Sequence, residues 1–174
     1  MITSSNADSG GMGDIHLIYD LCKNIQAKFC IETGVAYGWS SEAVLRSISK
    51  REDSLISVDM PMIGQDDCYL IGFVVSDDYQ KNWSLLRIPD INGLLRAIKM
   101  QGTNRIDCIH YDSDKSYYGR KCSQPYIIDA LKENGIFVSD DINDNFAFKE
   151  FVEENNLTYN IIEHAGKFVG VISK

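Results

Sequence analysis

The sequence predicts an α/β protein with one doubly wound, mainly parallel seven-stranded sheet whose last strand is antiparallel. Three observations carry that expectation. Short apolar runs of strand length alternate with stretches of helical period along nearly the whole chain. The first such run breaks into a glycine turn, Gly34-Val35-Ala36-Tyr37-Gly38, and a helix starts directly after it. The last two runs are joined only by Ala165-Gly166-Lys167, short enough for a hairpin, which makes that pair antiparallel.

Each element follows from the pattern. Ile15, Ile18, Leu21, Cys22 and Ile25 recur at helical spacing between Asp14 and Ala27, with Asp14 as the N-cap. Phe29–Thr33 is the first strand, and the helix after the glycine turn runs from Ser40 to Ser49. Ser54–Met60 is the second strand. Residues 61–83 are irregular, with Pro61 and Gly64 opening a loop and Asp77–Asn82 forming a short helix. Ser84–Ile88 is the third strand, followed by a helix over Asn92–Met100. Ile106–Tyr111 is the fourth, with a helix from Tyr118 to Glu133; Gly135–Ser139 is the fifth, with a helix over Asp144–Asn155. Tyr159–His164 and Phe168–Ile172 close the sheet. Without repeats or low-complexity linkers, residues 14–174 read as a single domain, preceded by a flexible, polar N-terminal arm over 1–13.

Composition narrows the function classes. Of the 174 residues, 44% are hydrophobic and 24% charged, as in ordinary soluble domains. A net charge of −8 without a basic patch argues against nucleic acid as a partner. The five cysteines contain no C-x-x-C pair and sit mostly in apolar runs, which reads as reduced thiols in a cytoplasmic protein. The first thirteen residues lack the basic and apolar regions of a signal peptide or membrane anchor. A small-molecule partner is expected, and a homodimer is compatible with the sequence.

The expected strands end in acids: Glu32, Asp59, Asp90, Asp112, and Asp140 with Asp141. Ligands of open parallel sheets bind beyond those strand ends. Such a rim suits hydroxyl, amino and cationic groups, or a divalent cation, and it repels phosphates. Asp59 ends the second strand, where an acid accepts hydrogen bonds from both ribose hydroxyls. The turn lacks the G-x-G-x-x-G spacing of nicotinamide folds. An adenosyl ligand without phosphates therefore fits better than a dinucleotide.

Further segments give the chain a family resemblance. Ile31-Glu32-Thr33-Gly34-Val35-Ala36-Tyr37-Gly38 is similar to the first motif, E-x-G-x-x-x-G, of class I S-adenosylmethionine-dependent methyltransferases, in particular the small family related to macrocin-type O-methyltransferases. Ser57-Val58-Asp59 resembles the ribose-binding strand end, and Trp83-Ser84-Leu85-Leu86 with Asp90 resembles the third strand and its adenine-facing acid. Ile106 through Tyr117 and Gly135 through Ile142, with Asn145-Phe146-Ala147-Phe148 after them, resemble two later segments of that family. The likeness spans roughly Ile15 to Lys174 and implies a Rossmann-like seven-stranded fold.

It also implies roles. Glu32, Gly34, Ala36, Tyr37 and Gly38 line the methionine end of S-adenosylmethionine, and Ser40 and Ser41 bind its carboxylate. Asp59, with Met60 beside it, holds the ribose, Asp90 and Ile91 the adenine, and Asp112 stands between cofactor and acceptor. The implied reaction is transfer of the methyl to a hydroxyl of a small molecule or a sugar- or glycan-type acceptor. One position departs: Lys115 stands where the family usually has the histidine that acts as base. Three routes restore proton transfer. His110 lies two residues before Asp112 on the same strand face. Asp112 is itself a base. Mg²⁺ held by Asp112, Asp140 and Asp141 would acidify a bound hydroxyl. The other reading of Lys115 is a protein that binds the cofactor, in a regulatory role, with catalysis impaired. Tyr37, Trp39, Tyr117 and Tyr118 are expected near the rim, as ligand walls or as packing.

Overall fold

The computed structural model describes residues 14–48, 52–60, 70–164 and 166–174. The expected N-terminal arm, residues 61–69 of the irregular segment, and Cys68 lie outside the described residues.

Asp14 caps helix α1 (Ile15–Asn24) by accepting the Leu17 N–H at 3.1 Å. Strand β1 (Phe29–Thr33), helix α2 (Trp39–Ser47) and strand β2 (Ser54–Val58) follow. A 3₁₀ turn over Asp77–Asn82 leads into β3 (Trp83–Leu86) and α3 (Asp90–Gln101). Next come β4 (Ile106–Tyr111), α4 (Tyr117–Ala130) and β5 (Leu131–Ser139). A second 3₁₀ turn, Ile142–Asp144, precedes α5 (Ala147–Glu154), and β6 (Thr158–His164) and β7 (Lys167–Ser173) end the chain. The strands form one seven-stranded sheet in the order β3-β2-β1-β4-β5-β7-β6. β1 through β5 pair parallel, while β7 runs antiparallel to both β5 and β6. The expected α/β sheet with its closing hairpin is therefore present. Strand order reverses between β1 and β4, which opens a crevice at their carboxyl ends.

Two boundaries differ from expectation for physical reasons. Helix α4 stops at Ala130 instead of reaching Glu133, because Leu131 pairs beside Ile106 in the sheet. Both side chains are fully buried there, and that burial outweighs the helix preference of Lys132 and Glu133. Helix α5 begins at Ala147, not Asp144. Asp141 is left-handed (φ +47°), the 3₁₀ turn follows, and extended Asn145 then accepts the Ala147 N–H on Oδ1 at 3.1 Å.

The sheet is covered on both faces. Helices α3, α4 and α5 pack Leu94, Ala97, Ile127, Phe148 and Phe151 against Ile31, Ile109, Phe137 and Ile172. On the other face α1 and α2 bring Ile18, Cys22, Val44 and Leu45 onto Cys30, Leu55, Val138 and Val171. Cys22, Cys30 and Cys108 are buried free thiols, whereas Cys122 is exposed. Among the described residues no helix is long and apolar enough to cross a membrane.

Candidate active site

The glycine turn after β1 is held by the acid that ends β2. Asp59 Oδ2 accepts the N–H groups of Val35 and Ala36 at 2.8 and 2.9 Å, so one carboxylate oxygen fixes the loop and Oδ1 takes no part in those bonds. Ala36 is pinned in the left-handed region at φ +46°, a conformation that charge-assisted bonds stabilise. Gly34 (φ +84°) is required by a close approach, since a Cβ there would overlap the Asp112 carbonyl. Beyond the turn, Gly72 N–H donates to Ala36 O at 2.9 Å and Val74 N–H to Tyr37 O at 3.0 Å. Segment 70–75 thus lies against the turn, and Gly38, which opens α2, would meet Gly72 Cα at 2.8 Å if it carried a Cβ.

Glu32 is not on the open rim. It is 0% exposed, and its Oε2 accepts the Ser41 hydroxyl and, at 2.8 Å, the Ser57 hydroxyl. Ser57 in turn accepts the Trp83 indole N–H at 2.9 Å. Oε1 stands 3.5 Å from Nδ1 of His110, itself 2% exposed and paired with Glu32 in the β1–β4 register. Burial opposes charging the imidazole, but the Glu32 carboxylate and the Asp140 charge outweigh it and push the His110 pKa up to about 9. Burial raises the Glu32 carboxyl, and His110 more than offsets this, leaving it below its ordinary value. Two expectations change. His110 is enclosed against Glu32 and away from the rim, and its raised pKa favours the imidazolium at neutral pH, so it is not placed to meet an acceptor as the base. Ser41 spends its hydroxyl on Glu32, so it does not present that group to a ligand, and Ser40, half-buried beside it at the start of α2, also acts on the Glu32 carboxylate.

The ends of β4 and β5 carry the remaining acids. Lys115 Nζ lies 2.7 Å from Asp112 Oδ1 and also contacts Asp141 Oδ2, while Lys167 Nζ is 3.5 Å from Asp141 Oδ1. Partial burial pulls the Lys115 pKa down, but Asp112 and then Asp141 pull harder, and the ammonium is held above its ordinary range. For Asp141 burial is outweighed by Lys115, and its carboxyl is depressed. Asp140 is raised, by burial first, with Asp112 and Asp141 adding to it and His110 opposing. Among the described residues no three His, Cys, Asp or Glu side chains stand as a metal-binding group. The expected trio of Asp112, Asp140 and Asp141 is thus not assembled as a ligand set. An ammonium bridges two of the three carboxylates, so the residues as arranged do not fit a resident Mg²⁺.

On the α3 side of the crevice lies a cavity of about 450 Å³ lined by Met60, Asp90, Ile91, Tyr111, Asp114 and Tyr118. It gathers three residues expected to meet cofactor: Met60, Asp90 and Ile91. Burial, with the Asp114 and Asp59 charges, raises the Asp90 carboxyl against a hydrogen bond from Ser113. Of the expected rim aromatics, Tyr118 is largely exposed and lines this cavity, Tyr117 donates to Glu150 Oε2 at 2.7 Å, Trp39 is partly exposed, and Tyr37 is half-buried.

Sequence reasoning missed Arg120, Asp114 and Lys167. Arg120 had a readable signal: it shares a helical stripe with Ser123, Gln124, Ile127 and Ala130, all buried. A charged residue on a buried stripe calls for partners. Asp114 contributes through its backbone, accepting the Tyr111 hydroxyl at 2.8 Å, which no pattern reveals.

No family model matches the sequence, and no curated protein matches it. Solved structures do. An O-methyltransferase from Bacillus cereus in complex with SAH superposes with a TM-score of 0.72 at 12% identity, covering 97% of this chain and 84% of the other. The O-methyltransferase TomG from Streptomyces achromogenes, involved in tomaymycin synthesis and solved with SAM, gives 0.69 at 14% identity over 92% and 79%. The SAH-bound methyltransferase PaMTH1 from Podospora anserina gives 0.64 at 14% identity over 92% and 77%. At these identities the likeness is one of architecture, and the chain has the Rossmann-like fold of these methyltransferases.

Proposed function

We propose that this chain is an S-adenosylmethionine-dependent O-methyltransferase acting on a hydroxyl of a small molecule or sugar-type acceptor. The observation that carries the reading is the position of Asp59. It ties down the glycine turn with one oxygen, and the residue after it, Met60, lines the cavity with Asp90 and Ile91. Proteins of the same fold are solved with SAH or SAM. In this reading the adenine enters the cavity, Asp59 Oδ1 takes the ribose hydroxyls, and the methionine part lies along Gly34–Gly38. Its carboxylate meets the free N–H groups at the start of α2.

S-adenosylmethionine brings a methyl already activated on a sulfonium, so the protein aligns a hydroxyl and disposes of its proton. Lys115, as an ammonium, donates to the acceptor oxygen and stabilises the negative charge that develops there. Asp112, at the end of β4 and one-third exposed, takes the proton. No step runs through a metal ion, because Lys115 stands among the carboxylates a metal would need. The Lys115 ion pair also supports a second reading, a cofactor-binding regulatory protein, since both of its carboxylates are already engaged.

Calorimetry with S-adenosylhomocysteine and NAD, followed by transfer of labelled methyl to a panel of sugars, polyols and phenols, separates the readings. Binding of S-adenosylhomocysteine, no binding of NAD and labelling of a hydroxyl are expected. Binding without any labelling leaves the regulatory reading, and no binding of S-adenosylhomocysteine overturns both.

A further inference from the structure

Beneath the rim that carries Asp112, Lys115, Asp140 and Asp141 lies a guanidinium with no carboxylate partner among the described residues. Arg120, on α4, is 1% exposed, yet its bonds go to neutral acceptors. Nη1 donates to the Ser139 hydroxyl at 2.7 Å, Nη2 to the carbonyls of Asp140 at 2.8 Å and Asp141 at 3.1 Å, and Nε to the Lys115 carbonyl at 3.3 Å. Its carbon Cζ sits 5.9 Å from the centre of the Tyr111 ring. Asn145 Nδ2 donates to the same Lys115 carbonyl at 2.8 Å, so that peptide is held from two sides.

A buried guanidinium is expensive unless every donor is used, and burial alone holds this one below its ordinary pKa. An apolar residue on the α4 stripe would fill the space without that penalty. What Arg120 adds is a rigid fork whose separate arms reach two chain segments: the loop after β4 and the end of β5. Those are the segments whose side chains, Lys115 and Asp141, touch above it. The left-handed Asp141 lies within the grip, and its carbonyl is one of the acceptors.

We propose that Arg120 is the positioning residue of the site: it clamps the β4 loop to the β5 end and so fixes the Lys115 ammonium against Asp112 and Asp141. It does not touch cofactor or acceptor. The catalytic part of this inference rests on the methyltransferase reading, while the clamp itself does not.

The test uses the full chain with Arg120→Lys, Arg120→Gln and Arg120→Ala. All three are checked for a cooperative thermal transition, and amide hydrogen exchange is followed with and without 50–100 mM (roughly) guanidinium chloride, well below denaturing levels. The expected result in Arg120→Ala is faster exchange, on the order of tenfold or more, confined to residues 112–116 and 139–146 and reversed by added guanidinium. Arg120→Lys, which lacks the fork, is expected to behave like Arg120→Gln. With whichever hydroxyl compound the wild type methylates, kcat falls on the order of 100-fold while S-adenosylhomocysteine affinity changes less than about threefold. Uniformly faster exchange across the chain without guanidinium rescue, or unchanged exchange at the two segments, overturns the clamp. If the wild type binds no S-adenosylhomocysteine, the functional reading falls and the exchange result still decides the clamp. Equal losses in kcat and cofactor affinity overturn the positioning role.

Discussion

The buried pair of Glu32 and His110 predicts a specific pH dependence of stability. His110 has its pKa raised from 6.5 to about 9 in the fold. A histidine raised in this way contributes stability that is complete below its unfolded pKa and disappears as pH climbs through the folded value. The gap, at about 1.4 kcal/mol per pH unit, sets a ceiling of about 3 kcal/mol. Glu32 is depressed and so loses its contribution only at acid pH, outside that window. The perturbation is His110→Phe, compared with wild type by urea unfolding at intervals from about pH 5.5 to 9.5. Four groups act on or respond to the imidazole: Glu32 across the β1–β4 ladder, Asp140, Asp112, and the Cys22 thiol on α1. The Cys22 thiol is lowered chiefly by Cys108 and Cys30, with His110 adding to it, so both proteins are compared in a Cys22→Ala background, which removes that titration from the difference. Wild type should lead by its full margin near pH 6, where the variant buries Glu32 with only hydroxyl partners, and the margin should shrink by up to about 3 kcal/mol toward pH 9.5. Parallel curves across that range would refute a charged His110.

Other perturbations act on separate parts of the site. Asp59→Asn keeps an acceptor for the turn but removes its charge, and S-adenosylhomocysteine affinity measured by calorimetry should fall on the order of tenfold, with Asp59→Ala lower still. Unchanged affinity in both would remove Asp59 from the ribose site. Gly34→Ala forces a Cβ toward the Asp112 carbonyl from a left-handed backbone and should destabilise by about 2–4 kcal/mol, a drop of roughly 5–15 °C in melting temperature. Lys115→Met should slow methyl transfer on the order of 100-fold with little change in cofactor affinity, whereas Lys115→Arg, which keeps the charge, should lose less. Equal losses in the two variants would mean that charge at this position is immaterial.

The fold was legible because its signals are local and periodic. β1 and β4 fall where their apolar runs place them, and Asp14 caps α1 as its type and position suggest. Two boundaries that moved had different causes: the end of α4 was decided by a distant partner, Ile106 across the sheet from Leu131, and the start of α5 by a local backbone turn through left-handed Asp141. The site was legible at the level of which strand ends carry acid. Which way each acid turns was not. Glu32 and Asp59 read alike in sequence, yet Glu32 faces inward because His110, Ser41 and Ser57 meet it there, and those partners come from β4, α2 and β2. The helical stripe marked Arg120 as buried, but not its partners, because three of its four acceptors are backbone carbonyls, which leave no trace in residue type.

Lysine in place of the expected histidine raises a question that charge placement answers. A base must hold a free lone pair at working pH, and the Lys115 ammonium, gripped by Asp112 and Asp141, does not. In the proposed reading, the same grip would supply what an imidazole base would not, a fixed cation beside the oxygen that becomes anionic during transfer. On the other side of the crevice, the Asp59 and Asp114 charges both raise the Asp90 carboxyl, and in the proposed reading a sulfonium held between Asp59 and the glycine turn would add positive charge near these acids. Transfer converts that sulfonium into a neutral thioether, which weakens the attraction holding the product in the acid crevice. In the proposed reading, an acid rim whose ammoniums, Lys115 and Lys167, stand on the acceptor side would favour binding of the charged cofactor over its spent form, and the ratio of their affinities should narrow as salt is raised.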